Sequence, residues 1–247
     1  MNGLSLIHIS ESGFDNEYDL IDLINMGDKE LLEKLSNVLG EELQSEEVSA
    51  KKIRGSPKPD IEICIGNARK KCSSVKKYRP GADYNHVART SVEKFCNIFQ
   101  FSQVARTVLS IFTGEQRPGD HLSYLKDENR DHGKRVVLFD VKNVFVSQLF
   151  EELSEKEGKI IDWAFSGNKE VDFFIFSEEK ESGGKIHRFF PERTVLEFYK
   201  RGSVLMTPRG SINIGNNITL QRKGGTGSPT NIQLKFRPTL FVNEQKQ

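Results

Sequence analysis

The chain has 247 residues, of which 36% are hydrophobic and 29% charged, and its net charge is +1. This composition is typical of a folded protein with a polar surface, and no apolar run approaches the roughly 18 residues of a membrane span. The start lacks the basic and apolar regions of a signal peptide, so we expect an intracellular, cytoplasmic protein. The three cysteines have no paired spacing, which favours free thiols over a disulfide framework or a zinc site.

Charge is segregated along the chain. Residues 1–50 carry a net charge of −10, residues 51–119 carry +9, residues 120–184 carry −6 and residues 185–247 carry +8. The two basic blocks could fold into one positive surface for a polyanion such as nucleic acid. Equally, the charges could decorate solvated faces, and charge alone leaves both interpretations open.

Helical and strand periods alternate in the first half of the chain. Apolar residues at helical spacing predict two helices between residues 11 and 39, with a turn near Gly27. Isoleucines then alternate with polar residues over 60–65, which predicts a β-hairpin with residues 72–78 as the returning strand. Residues 85–113 again have helical spacing, so we predict that they are helical.

The second half of the chain is mixed. Helical spacing predicts helices over 144–153 and 192–199. Strand patterns are found in four further segments, 159–165, 171–177, 218–222 and 231–236. Together the elements predict a single α/β domain over residues 1–247, with α+β as the alternative, in which helices flank a mixed central sheet.

The predicted hairpin carries a group of charged and polar residues suited to phosphodiester hydrolysis. Asp60 and Glu62 share one face of the first strand, and Ser74 and Lys76 share one face of the returning strand. Carboxylates can hold a divalent metal ion, and a nearby ammonium group can assist the attacking water. Pro59-Asp60, a hairpin and then Lys76 form the outline of the PD-(D/E)XK nuclease motif, although ordinary structural hairpins produce so short a motif more often.

A second candidate for this motif is Asp140-Val141-Lys142, which follows Pro118-Gly119-Asp120. The residues after Lys142 have helical spacing. We therefore interpret Asp140 as an N-cap whose carboxylate accepts hydrogen bonds from the first free amide groups of a helix.

The end of the chain carries a family resemblance. The string MTPRGSINIGNNITLQRKGG over residues 206–225, followed by NIQLKFRP, resembles the C-terminal region of type II restriction endonucleases of the PD-(D/E)XK superfamily, especially the GCGC-cutting relatives of MspI-like four-base cutters. Weaker similarity covers residues 13–17, 56–60 and 111–115. The resemblance implies a restriction-endonuclease-like fold, with a catalytic hairpin at about 54–80 and a DNA-recognition region at about 200–240.

Carried onto these positions, the resemblance makes Asp60 a metal-binding carboxylate for Mg²⁺ and Lys76 the lysine of the second half-motif. Ser74 then occupies the place where most such nucleases have Asp or Glu, and its single hydroxyl would be a weak metal ligand. Glu62 and Glu17 are our candidates to complete the metal or catalytic site, although Glu17 could instead be one more exposed acid of an acidic helix. The five histidines have no metal-ligand spacing.

The recognition region is rich in side chains that read base edges or bind phosphate. We expect contacts to bases or to phosphates from Arg209, Ser211, Asn213, Gln221, Arg222 and Lys223. We expect phosphate contacts from Lys77, Arg79 and Lys235. Tyr84, Asn85 and His86, which follow the hairpin, are further candidates for DNA contact, and Tyr84 either wedges against bases or packs at a helix start.

The leading hypothesis is a site-specific, Mg²⁺-dependent endonuclease that cuts double-stranded DNA at a short GC-rich palindrome, GCGC or a related site. The family also implies a cognate DNA methyltransferase as a genetic partner, no membrane association, and action as a monomer or a homodimer. Ser74 motivates the first alternative, a catalytically weakened DNA-binding relative. The second alternative is a structural or interaction module with an incidental basic patch.

Overall fold

The computed structural model describes residues 13–55, 58–81, 84–131, 133–167, 170–224 and 229–246, with side chains from residue 16 onward. Contacts divide the chain into two compact units. Unit 1 comprises the described residues up to Gly81 together with 170–192, and unit 2 comprises the described residues of 82–169 and 193–247. The single domain expected from the sequence stays a prediction.

The described residues form helices and strands throughout the chain. In chain order these are α1 (Gly13–Asn25), α2 (Lys29–Leu39), β1 (Val48–Lys52), β2 (Ile61–Ile65), β3 (Arg69–Tyr78), β4 (Asn85–Thr90), α3 (Val92–Phe99), α4 (Gln103–Thr113), α5 (Asn143–Ser166), β5 (Phe173–Glu179), β6 (Lys185–Pro191), α6 (Glu192–Tyr199), β7 (Leu205–Met206), β8 (Ile212–Ile214), β9 (Ile218–Arg222), β10 (Ile232–Phe236) and α7 (Pro238–Glu244). No helix among them is long and apolar enough to cross a membrane.

Unit 1 contains one sheet with the strand order β1-β2-β3-β5-β6. Its pairs are antiparallel except for β3 and β5, which are parallel. The alternating isoleucines of β2 are buried in one core with leucines of α1 and α2, so that one face of β2 is apolar and the other is left for polar residues. The predicted hairpin and the two predicted N-terminal helices are confirmed.

The ends of α2 follow from local chemistry. The Asp28 carboxylate accepts a hydrogen bond from Leu31 N at 3.0 Å and thereby satisfies a free amide of the first turn. Gly40 ends the helix with a φ of 71°, a left-handed conformation that glycine adopts without steric cost. These two residues fix the length of the helix that covers the sheet of unit 1.

Unit 2 contains a second sheet with the order β4-β10-β9-β8-β7, in which each pair is antiparallel. Aromatic rings form part of its core: the Phe165 ring lies 4.9 Å from Tyr199 and 5.0 Å from Phe236, centroid to centroid. The predicted strands β9 and β10 and the predicted helix α6 are confirmed. Two sheets flanked by helices, of which the sheet of unit 1 is mixed, match the predicted α/β class.

Two predicted elements are wrong. Residues 159–165 belong to α5, because Ile160, Ile161, Ala164 and Phe165 bury one helical face instead of alternating as in a strand. Residues 85–90 form β4 instead of a helix, since they pair with β10 across almost 150 residues of sequence. Such long-range pairing overrides a local helical pattern.

Candidate functional site

The polar face of the β2–β3 hairpin positions the candidate catalytic residues in unit 1. Ile61 pairs with Ser73 in the antiparallel register, and Asp60 N donates a hydrogen bond to Ser73 O at 2.9 Å. Asp60 therefore lies at the start of β2, across from Ser74. This register brings residues that are 14 and 16 positions apart in sequence to one place.

One oxygen of Asp60 receives several interactions from β3. Asp60 Oδ2 accepts hydrogen bonds from Val75 N at 2.7 Å and from Ser74 Oγ at 3.0 Å. Lys76 Nζ lies 3.7 Å from the same oxygen, and the Asp60 and Lys76 side chains are 26% and 15% exposed. Asp60 Oδ1 has no partner among the described residues, so this oxygen is available to a ligand.

Two further lysines surround Asp60, and the sequence analysis did not single them out. Lys58 is buried, and burial, followed by repulsion from Lys76, holds the pKa of its ammonium group well below the usual value. Burial and then Lys76 also lower the pKa of Lys52, whereas the nearby Asp60 carboxylate acts in the opposite direction. The position of Lys58 two residues before Asp60 could have indicated its proximity, but no sequence signal pointed to Lys52.

The two acids expected to complete the site are engaged by lysines. Glu62 Oε1 lies 2.9 Å from Lys51 Nζ and 3.4 Å from Lys70 Nζ, and the hydrogen bond from Lys51 lowers the pKa of the Glu62 carboxyl group. Glu17 pairs with Lys52. The part of the chain that the structure describes holds no cluster of three or more His, Cys, Asp or Glu side chains able to hold a metal ion.

A cleft of about 350 Å³ borders Asp60 and is also lined by Glu17, Tyr18, Lys52 and Arg54. The Oδ1 atom of Asp60 and the Glu17 carboxylate, which line the same cleft, are hard oxygen donors of the kind that Mg²⁺ prefers. Two carboxylates are too few to enclose the ion, but Mg²⁺ is commonly held by one or two carboxylates, several waters and substrate phosphates. The residues of this cleft therefore fit a magnesium ion that shares its ligands with a substrate.

The second Asp-x-Lys string forms no comparable pair. Asp140 Oδ2 lies 2.8 Å from Arg130 Nη1 and accepts a hydrogen bond from Val137 N, whereas Lys142 Nζ pairs with Glu128 Oε1 at 3.0 Å. The interpretation of Asp140 as the N-cap of the following helix is wrong. Lys142 is the residue at that cap position, and its side chain makes no capping hydrogen bond. Asp140 instead closes a short 3₁₀ turn that precedes the helix.

Two basic residues that the sequence suggested for phosphate binding share one acid in unit 1. Lys77 Nζ lies 3.7 Å from Glu179 Oε1, and Arg79 Nη2 lies 2.8 Å from Glu179 Oε2. The hydrogen bond from Arg79 is the main cause of the lowered pKa of the Glu179 carboxyl group. Part of the charge of Lys77 and Arg79 is therefore already neutralised within unit 1.

In unit 2, the sheet aligns polar residues that are far apart in sequence. Asn213 pairs with Thr219, Thr219 with Lys235, and Lys235 with His86, so that a polar row crosses β8, β9, β10 and β4. Thr219 Oγ1 donates a hydrogen bond to Asn213 Oδ1 at 3.1 Å. The adjacent row contains Gln221, Gln233 and Arg89. The apolar residues between these positions are buried.

Tyr84 lies beside this row with two cations against its ring. Lys235 Nζ is 5.4 Å and Arg237 Cζ is 5.6 Å from the ring centroid, within the range of cation–π attraction. Burial raises the pKa of the Tyr84 hydroxyl, and a hydrogen bond with Thr219 partly opposes this change. Neither Lys235 nor Arg237 has a carboxylate partner within the described ranges. The sequence analysis included Lys235 but missed Arg237.

Comparison with known proteins shows a likeness to a solved structure. No protein-family model and no curated protein matches the sequence. The chain is similar to the crystal structure of the restriction endonuclease MspI in complex with its cognate DNA, with a TM-score of 0.59 and 16% identity over 89% of this chain and 87% of that chain. The chain has a restriction-endonuclease-like fold. The fold class expected from the sequence is thereby confirmed.

Within this restriction-endonuclease-like fold, the remaining residues of the expected recognition region have varied surroundings. Arg222 Nε donates a hydrogen bond to the Pro229 carbonyl oxygen at 3.2 Å. The Arg222 guanidinium group also lies close to Gly114, where an added Cβ atom would be only 2.7 Å from Nη1. Ser211 N donates to Thr207 Oγ1 at 3.0 Å. Arg209 and Lys223 are exposed or partly exposed, and so is Asn85, the candidate from β4. Residues 56, 57 and 225 of the family-like segments lie outside the described residues.

Proposed function

We propose that the protein is a Mg²⁺-dependent, site-specific endonuclease of the type II restriction class. In this proposal it hydrolyses phosphodiester bonds of double-stranded DNA at a short GC-rich palindrome, GCGC or a related site. The observation that carries the proposal is the convergence of Ser74, Val75 N and Lys76 on one oxygen of Asp60. That convergence occurs in a fold of the restriction-endonuclease type.

Each residue has a defined chemical task in the proposal. Asp60 presents Oδ1 as a metal ligand, while Ser74 and the Val75 amide hold the carboxylate in place through Oδ2. Lys76 stabilises negative charge on the attacking water or on the phosphate as it develops. Bound Mg²⁺ would supply Lewis-acid activation and lower the pKa of a water molecule.

The polar sheet face of unit 2 supports DNA binding. Asn213, Gln221 and Lys235 were candidates from the sequence, and they lie on neighbouring rows of one sheet. Amide side chains can bond to base edges and cations to phosphates, so this face has the chemistry of an interface that both reads and holds DNA. A restriction system also requires a cognate methyltransferase, and cutting a palindrome requires either a homodimer or a monomer that acts on each strand in turn.

Plasmid cleavage tests the proposal. The wild-type protein should cut in Mg²⁺ and stop when EDTA is added, and Lys76→Ala and Asp60→Ala should each lower the rate by at least about 100-fold. Lys70→Ala is the matched control, because Lys70 is an exposed lysine of the same strand that pairs with Glu62. Sequencing the ends of fragments cut from a known genome would then give the site and the stagger.

A second candidate function is a sequence-specific DNA-binding protein with weakened catalysis. Ser74 favours it, because a hydroxyl that donates to Asp60 adds no negative charge to a metal site. This candidate predicts salt-sensitive DNA binding with no cleavage at any Mg²⁺ concentration. A protein that neither binds nor cuts DNA would contradict both candidates.

A further inference from the structure

Lys52, the last residue of β1, lines the same cleft as Glu17 and Asp60. Its ammonium group pairs with Glu17, and the two side chains are only 14% and 12% exposed. The Asp60 carboxylate also attracts the charge of Lys52, whereas Lys76 repels it. One lysine therefore interacts with both carboxylates of the cleft.

A divalent cation would compete with Lys52 for these carboxylates. Calcium and magnesium ions take oxygen ligands, and Glu62, the other nearby acid, already pairs with Lys51 and Lys70. A cation entering the cleft would meet the positive charge of Lys52 and would have to separate Glu17 from its partner. Separating a largely buried ion pair is costly, so the pairing of Lys52 with Glu17 opposes cation binding.

A DNA phosphate would change this balance in two ways. It adds negative charge to a cleft whose lining includes the cations Lys52 and Arg54. It also offers the Lys52 ammonium group a strong acceptor, since hydrogen bonds between charged groups are stronger than those between neutral groups. Glu17 would then be released to act as an oxygen ligand beside Asp60.

Building on the proposed nuclease function, we propose that Lys52 is a positioning residue that pairs with Glu17 in the DNA-free protein, opposes divalent cation binding, and releases Glu17 when a DNA phosphate enters the cleft. DNA and the cation are then positively coupled ligands. Each increases the affinity for the other by the same factor, as linkage requires.

Calorimetric titration of the DNA-free protein with Ca²⁺ tests the proposal without any measurement of cleavage. Lys52→Gln should bind Ca²⁺ about tenfold more tightly than the wild type, within the range typical of coupled sites. Lys51→Gln is the matched control, because Lys51 precedes Lys52 on the same strand, is 61% exposed and pairs with Glu62 instead. Its Ca²⁺ affinity should equal that of the wild type, and adding Glu17→Gln to Lys52→Gln should remove the gain.

A second measurement requires no variant, in case Lys52→Gln does not fold. The wild-type protein should bind Ca²⁺ at least about fivefold more tightly in the presence of a DNA duplex that contains GCGC than in its absence. Equal affinity with and without duplex, or a folded Lys52→Gln protein that binds Ca²⁺ no more tightly than the wild type, would overturn the inference.

These outcomes are separable from a failure of the proposed function. A wild-type protein that cuts plasmid while Lys52→Gln leaves Ca²⁺ affinity unchanged would retain the proposed function and lose the inference. A protein that neither binds nor cuts DNA would lose the proposed function. The DNA-free titration of Lys52→Gln and of the double variant would still decide whether Lys52 opposes cation binding through Glu17.

Discussion

Ser74 Oγ donates a hydrogen bond to Asp60 Oδ2 at 3.0 Å, which links the two arms of the β2–β3 hairpin on its polar face. Ser73, the preceding residue on β3, is also buried, but its hydroxyl has no hydrogen-bond partner within the described part of the chain. The two adjacent serines therefore have opposite energetic roles. Because Ser73 and Ser74 are the same residue type, are both buried and lie on the same strand, replacing each one in turn isolates the effect of the hydrogen bond to Asp60.

Ser74→Ala should lower the free energy of unfolding by about 1 kcal/mol, because the Asp60 carboxylate loses a buried donor. Ser73→Ala should be neutral or slightly stabilising, since it removes a buried hydroxyl that has no partner. Urea unfolding of the two variants and the wild type measures both values. Equal destabilisation by the two substitutions would contradict the assigned hydrogen bond.

Lys235 and Arg237 should contribute to DNA affinity without determining sequence preference. If each contacts one phosphate, Lys235→Ala and Arg237→Ala should each reduce the slope of log affinity against log salt concentration by about 1. Arg193→Ala is the control, because Arg193 is an exposed arginine of unit 2 that pairs with Glu197. Fluorescence anisotropy over a series of salt concentrations gives the slopes, and unchanged slopes for both variants would remove these residues from the interface.

Lys142→Ala should leave plasmid cleavage within about twofold of the wild-type rate. Lys142 pairs with the exposed Glu128, whereas Asp140 pairs with Arg130, so these two residues do not form an Asp–Lys pair. The same cleavage assay compares it with Lys76→Ala. A loss of activity on the scale expected for Lys76→Ala would mean that the later Asp-x-Lys string carries the chemistry, and the assignment of the hairpin would then be wrong.

His187 predicts a pH dependence of stability in unit 1. It is buried and shares a hydrogen bond of 2.8 Å with Ser177 Oγ, and burial is the main cause that lowers the pKa of its imidazole to about 4. Lys34 and Lys185 lower this pKa further, whereas Asp19 and Glu30 oppose them. Between about pH 6.5 and pH 4 the unfolded chain therefore binds a proton that the folded chain does not.

The sign follows from this difference in proton binding. The contribution of His187 to stability is retained above about pH 6.5 and is lost as the pH falls toward 4, by about 2 kcal/mol between pH 7 and pH 5. His187→Asn should reduce that loss, and His121→Asn, at a partly exposed histidine, should not. Urea unfolding at the two pH values measures the change. The same loss of stability between pH 7 and pH 5 in His187→Asn and in the wild type would contradict the prediction.

The sequence was informative where local pattern and tertiary role agree. The alternation of Ile61, Ile63 and Ile65 predicted β2 because the same three side chains form part of the core of unit 1. The spacing of Asp60 and Lys76 similarly predicted their proximity, since a hairpin register depends on few residues. Both expectations required only the geometry of neighbouring strands.

Features that depend on long-range packing could not be predicted in this way. The pairing of Lys52 with Glu17 requires α1 to pack beside β1, and the contacts of Arg237 and Lys235 with Tyr84 require β10 to pair with β4. The predicted strand over residues 159–165 is wrong because Ile160, Ile161 and Phe165 are common in strands but can equally form the buried face of a helix. Short apolar runs do not distinguish these alternatives.

The position of β3 within its sheet has a consequence for local motion. β3 pairs with β2 on one side and with β5 on the other, and Lys76 lies in the β5 ladder opposite Phe176. Amides bonded on an interior strand open to solvent only in rare, large fluctuations. Hydrogen exchange around Ser73, which pairs with both β2 and β5, should therefore be among the slowest in unit 1, and the β5 ladder would hold Lys76 beside Asp60 before any substrate arrives.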